Sequence, residues 1–125
     1  EVFDANGGIM THNEMPNAPG YSINFSSRYS WSGLNGLWAF QFDGVSNDSQ
    51  YLEVTNGETA RESAYSVFNT NISYTNNSNA WTLTLWMKNI TNTEYRIYNL
   101  DLGRLGATSF YAPPRWTGLT LSYSF

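Results

Sequence analysis

Apolar and polar residues alternate with a period of two in five separate segments, about 20–31, 37–46, 64–74, 81–90 and 114–125. The first sets Tyr21, Ile23, Phe25, Tyr29 and Trp31 on one parity and Ser22, Asn24, Ser26, Arg28 and Ser30 on the other. The second groups Trp38, Phe40 and Phe42; the third Phe68, Thr70, Ile72 and Tyr74; the fourth Trp81, Leu83, Leu85 and Met87; the last Leu119, Leu121, Tyr123 and Phe125. Successive side chains of a strand point to opposite faces, so this rhythm predicts β-strands with one apolar and one polar face. No segment shows a helical stripe. The expected fold is all-β, about five antiparallel up-and-down strands after a polar leader, 1–19.

The connections alternate in length. Short turns, 32–36 and 76–79, alternate with longer polar loops, 46–63 and 91–113. Tyr29, Trp31, Trp38, Tyr74, Trp81, Tyr123 and Phe125 gather at the short-turn end. The in-strand charges Arg28, Asp43 and Lys88 fall opposite the apolar parity. Transmembrane β-barrels carry aromatic girdles, short turns at one rim and long loops at the other. They exclude charge from the lipid face, where Arg or Lys costs about 2–4 kcal/mol at mid-membrane. The sheet is therefore expected to be part of a transmembrane β-barrel. Arg115 is the awkward charge, because counting back by twos from Phe125 puts it on the apolar parity. Either it snorkels near the outer rim or a bulge near Gly118 resets the alternation.

Composition agrees. Only 13% of residues are charged and 17% are aromatic, yet mean hydropathy is -0.43, because Asn, Ser, Thr and Gly fill the other positions. Disorder calls for the reverse balance, and no apolar run approaches the length of a membrane helix. The net charge of -4 argues against nucleic acid as a partner. The chain has no cysteine and one histidine, His12, which leaves a zinc site little to build on. Asp48, Glu53, Glu58 and Glu62 match no calcium-loop spacing, and no triad of serine, histidine and aspartate is readable. No catalytic residue, metal or cofactor is expected. The several Asn-x-Ser/Thr triplets, among them Asn24, Asn71 and Asn89, read as polar-face residues rather than glycosylation sites. Glu1-Val2-Phe3-Asp4 has neither an initiator Met nor a signal pattern, and reads as an internal stretch rather than a natural start.

From the fourth segment onward a family resemblance emerges. Lys88-Asn89-Ile90-Thr91-Asn92-Thr93-Glu94-Tyr95 looks like the "NLT/F-x-x-x-Y" signature late in TonB-dependent receptors. Tyr111-Ala112-Pro113-Pro114-Arg115-Trp116-Thr117-Gly118 resembles their "PR-x-x-G" opening of the final strand, and Pro16-Asn17-Ala18-Pro19 resembles an upstream "NAP". Gly118, Leu119, Leu121, Tyr123 and Phe125 resemble the outer-membrane insertion signal, with Trp116 a departure from its usual polar residue. The resemblance covers about residues 15–125. It implies the C-terminal portion of a plugged 22-stranded barrel in the outer membrane of a Gram-negative bacterium. Such receptors import scarce ligands, typically ferric siderophores (hence iron uptake), cobalamin or oligosaccharides. The implied partners are the rest of the barrel, the plug, outer-membrane lipid, and TonB through an N-terminal part absent here. An isolated fragment is expected to self-associate.

Ligand contacts are expected in the long loops: Tyr51, Glu53, Asn56, Glu58 and Arg61 in the first, and Tyr95, Arg96, Tyr98, Asp101, Arg104, Phe110 and Tyr111 in the second. Aromatics beside arginine suit an anionic chelate; the plainer reading is that these residues pack the loops. The alternative function is a small soluble β-sandwich that binds carbohydrate through Trp and Tyr platforms. It leaves the loop alternation unexplained.

Overall fold

The computed structural model describes residues 8, 13–78 and 80–124. Among the described residues nine strands run in order: β1 (Ser22–Gly33), β2 (Gly36–Asn47), β3 (Gln50–Tyr51), β4 (Arg61–Glu62), β5 (Tyr65–Asn76), β6 (Trp81–Lys88), β7 (Arg96–Asp101), β8 (Ala107–Tyr111) and β9 (Trp116–Tyr123). Strands β1, β2, β5, β6 and β9, in that spatial order, make one antiparallel five-stranded sheet; β3–β4 and β7–β8 are separate two-stranded ladders. The described part is thus all-β apart from two short 3-10 turns, and no closed barrel forms within it.

The chain divides into two compact units. One comprises residues 23–45, 66–93 and 113–125 and holds nearly all of the five-stranded sheet. The other gathers 1–22, 46–65 and 94–112, and holds both small ladders.

All five expected strands are present, with shifted ends. β1, β2 and β5 extend to Gly33, Gly36 and Asn76, one or two residues nearer the short turns than the alternation indicates. Leu34 and Asn35, both at positive φ (51° and 56°), join β1 to β2. Two such residues are what a type I′ hairpin turn requires, and its twist matches that of the strands. Asn76 Oδ1 accepts the Trp81 N–H at 3.0 Å and closes the β5–β6 turn. β6 stops at Lys88 rather than 90, because Asn89 turns left-handed (φ 51°). β9 begins at Trp116, after Pro113-Pro114.

The β6–β9 register runs without a shift from Trp81↔Tyr123 to Lys88↔Trp116. A bulge near Gly118, one of the two accounts of Arg115, is therefore absent. Arg115 lies outside the strand in a bend, so its parity is no anomaly.

The two long loops are more structured than their polarity suggests. Tyr51 pairs with Arg61 and Gln50 with Glu62 in the first. In the second, β7 and β8 pair from Arg96↔Tyr111 to Asp101↔Ala107, with a register shift between Arg96 and Tyr98.

Candidate functional site

The sheet separates two chemistries. Cross-strand rows Thr70↔Met87↔Thr117, Ile72↔Leu85↔Leu119 and Tyr74↔Leu83↔Leu121 lie on one face. Ring contacts Phe25–Phe42, Phe25–Phe68 and Phe42–Phe68 carry that face onto β1 and β2. Leu119 and Leu121 are 65% and 68% exposed, so nothing among the described residues covers them. The opposite face is a polar concavity of about 660 Å³ whose lining includes Arg28, Gln41, Asn71, Ser73, Thr84 and Lys88. Asp43 lies on the same face, accepting from Asn69 at 2.8 Å. Arg28, Asp43 and Lys88 thus all lie opposite the apolar rows, as the alternation predicts.

Aromatic rings form a continuous row along the short-turn end of the apolar face. Tyr29 stacks on Trp31 at 5.8 Å and Trp31 on Trp38 at 6.1 Å. Tyr74 then meets Trp38 at 5.0 Å and Trp81 at 5.3 Å. Trp81 is the register partner of Tyr123, so the row reaches the fifth strand. Tyr74 adds a hydrogen bond from its hydroxyl to the Leu34 carbonyl at 2.9 Å.

The two sequence motifs near the last strands interlock. Asn89 is buried; its Oδ1 accepts the Thr93 N–H at 2.8 Å, and its Nδ2 donates to the carbonyls of Thr93 (2.9 Å) and Pro113 (3.3 Å). Asn92 Oδ1 accepts the Arg115 N–H at 2.8 Å. Thr93 Oγ1 donates to the Ser66 carbonyl at 2.9 Å. The chain just before residue 94 and just after residue 112 is thereby clamped.

Of the motif residues at the chain end, Gly118, Leu119, Leu121 and Tyr123 all lie in β9; Phe125 lies outside the described residues, as do His12 and Asn79. Gly118 belongs to the polar face. The Trp86 indole lies across it so closely that a Cβ there would overlap the ring. Trp86 also meets Trp116 edge-on at 4.7 Å and donates to Thr120 Oγ1 at 3.1 Å.

The loop candidates Tyr51, Arg61, Tyr95, Arg96, Tyr98, Asp101, Arg104 and Tyr111 all fall in one compact unit. Several of them hold that unit together. Arg96 pairs with Glu62 at 2.6 Å, both side chains largely buried, and its other nitrogens donate to the carbonyls of Thr59 and Arg61. Tyr95 stacks on Tyr65 at 4.3 Å; burial, and then the neighbouring Tyr65, push its phenol above the usual 10.0. Asp101 receives a hydrogen bond from Thr59 at 3.2 Å. Glu53 Oε1 accepts from Asn99 Nδ2 (3.0 Å) and the Asp101 N–H (2.7 Å). Asn56 bridges to Glu14 in both directions. Tyr98, Phe110, Tyr111, Arg61 and Arg104 remain exposed, with Tyr98 and Phe110 in ring contact at 5.9 Å. Tyr51 is half-buried in its ladder, and Glu58 opens a 3-10 turn.

Sequence reasoning passed over two organisers of this unit, Glu62 as the partner of Arg96 and Asn99, which is 1% exposed. Nothing in a polar loop distinguishes a buried Asn or Glu from a solvated one. Among the described residues no cluster of three or more His, Cys, Asp or Glu offers a metal site. No family model, curated protein or solved structure matches the chain.

Proposed function

We propose that this chain is a wall segment of an outer-membrane β-barrel, the C-terminal portion of a TonB-dependent receptor, with its apolar face in lipid and its polar face towards the lumen. The observation that carries the reading is the aromatic row Tyr29–Trp31–Trp38–Tyr74–Trp81 across the exposed apolar face. Amphipathic rings concentrate at a membrane interface, and a soluble protein rarely leaves so wide an apolar face bare. Strands of 12 residues in β1, β2 and β5 exceed the ~9–11 that a tilted strand needs to cross the hydrocarbon.

In this reading the loop unit contributes to ligand capture through Tyr98, Phe110, Tyr111, Arg61 and Arg104, while Arg96, Asp101 and Tyr95 shape the scaffold beneath. The ligand class follows from the family resemblance: a ferric siderophore, cobalamin or an oligosaccharide. A carbohydrate-binding sandwich needs a second sheet packed ~10 Å from the first, and the exposure of Leu119 and Leu121 argues against one.

The test is fractionation of Gram-negative cells expressing the protein. Recovery in the outer membrane, released only by detergent, is the expected result. Soluble protein that adsorbs to polysaccharide would overturn the receptor reading in favour of the sandwich module.

A further inference from the structure

The polar face of the sheet carries two indoles that a lipid interface does not account for. Trp86 alternates with Leu85 and Met87 along β6, and Trp116 is the register partner of Lys88. Both line the concavity of about 660 Å³ on that face, a volume within the ~300–1,000 Å³ of small-molecule sites. The Trp86 ring is fixed: it lies over Gly118, donates to Thr120 Oγ1 at 3.1 Å and meets Trp116 edge-on at 4.7 Å. Trp116 is 53% exposed, so an open ring stands beside a held one.

Two cations share this hollow. Arg28 of β1 and Lys88 of β6 are the only charged residues that line it, and among the described residues neither side chain makes an ion pair or a hydrogen bond. Asp43 is the only acidic residue of the five sheet strands, and its carboxylate is taken by Asn69 at 2.8 Å and Gln41 at 3.4 Å. Like charges in one hollow repel, and an anion relieves both. In the order β1-β2-β5-β6-β9 the two cations stand three strand spacings apart, roughly 14 Å, which suits separate carboxylates on one ligand. Asn71 and Thr84, also in the lining, hold side chains with no hydrogen-bond partner among the described residues, so donors and acceptors are open as well.

We propose that this concavity binds a short acidic oligosaccharide, its carboxylates held by Arg28 and Lys88 and a pyranose ring laid on Trp116. Charge-assisted hydrogen bonds answer the carboxylates, Asn71 and Thr84 answer ring hydroxyls, and the C–H face of a sugar meets the negative face of an indole. An acidic peptide supplies the charge without the flat hydroxylated ring. The inference rests on the wall-segment reading, in which this face looks into the lumen, and narrows its ligand classes to one.

The test uses the 125-residue chain folded in a nonionic detergent and titrated by calorimetry with trigalacturonate, maltotriose and triglutamate. Trigalacturonate should bind about tenfold tighter than either of the others, which lack the charge or the sugar rings, and should weaken as salt rises. Arg28→Gln and Lys88→Gln, on separate strands, should each weaken trigalacturonate about tenfold, the loss of a charge-assisted hydrogen bond, with an unchanged circular dichroism spectrum. Lys88→Arg should restore the affinity. Trp116→Ala should weaken trigalacturonate and maltotriose alike. No binding of trigalacturonate, equal affinity for it and either of the other two probes, or undiminished affinity in both glutamine variants overturns the saccharide site and leaves the wall-segment reading in place. That reading is tested separately by solubility: a chain that dissolves in water as a monomer overturns it, whatever the titration gives.

Discussion

Asn89 shows how much can depend on one side chain. It ends β6 in a left-handed conformation that costs most other residues about 1–2 kcal/mol, and it makes three side-chain hydrogen bonds, to Thr93 and Pro113. Asn89→Ala should destabilise the sheet unit by about 2–4 kcal/mol, measured as a shift in its denaturation midpoint. Arg96 has a comparable position in the loop unit. Lysine keeps the charge but cannot direct donors to Glu62 and two carbonyls at once. Arg96→Lys should cost about 2 kcal/mol, seen as faster proteolysis between residues 46 and 65. Tyr95 adds a pH dependence. Its phenol is raised by burial and by Tyr65, so the folded state holds that proton more tightly than the unfolded chain. Stability is then full below the unfolded value near 10.0 and falls as pH rises above it. A urea titration at several alkaline pH values should show that fall in the native chain, and a smaller one in Tyr95→Phe.

The five sheet strands were legible in the sequence because a sheet with one apolar face imposes a period of two. Trp38-Phe40-Phe42 and Trp81-Leu83-Leu85-Met87 carry that period without interruption. The small ladders were not legible. β3 and β4 are two residues each, too short to show any rhythm, and the register shift at Arg96/Tyr98 breaks the alternation of β7. The loop candidates could be picked out by residue type, but not sorted into exposed and structural. That sorting depends on partners such as Glu62 and Thr59, more than 30 residues away from Arg96. One contact between strands also escaped the sequence, the Trp86 indole laid over Gly118. Rings packed across a strand glycine cover backbone that would otherwise be bare. Gly118→Ala should displace the indole and cost about 1–3 kcal/mol. Combining it with Trp86→Leu should recover much of that loss, a non-additivity that a double-mutant cycle measures.

At the level of the whole molecule, the sheet is open among the described residues. β1 and β9 are the outermost strands of the order β1-β2-β5-β6-β9, each with one neighbour among the described residues. Unpaired strand edges beside an exposed apolar face favour association with other chains. The isolated protein should therefore self-associate outside a membrane, with a sedimentation coefficient that rises with concentration. A monomer at all concentrations in plain buffer would contradict the unsealed sheet. The clamp between Asn89, Thr93 and Pro113 has a different consequence. It links the end of β6 to the approach to β9, and within the connection 94–112 the Ala112 N–H meets the Tyr95 carbonyl at 3.0 Å. β6 and β9 are thus joined without help from the tip of that connection. The stretch from Leu102 to Gly106 becomes a natural place to graft a foreign peptide for display, replaceable in length and sequence while β6 and β9 keep their pairing.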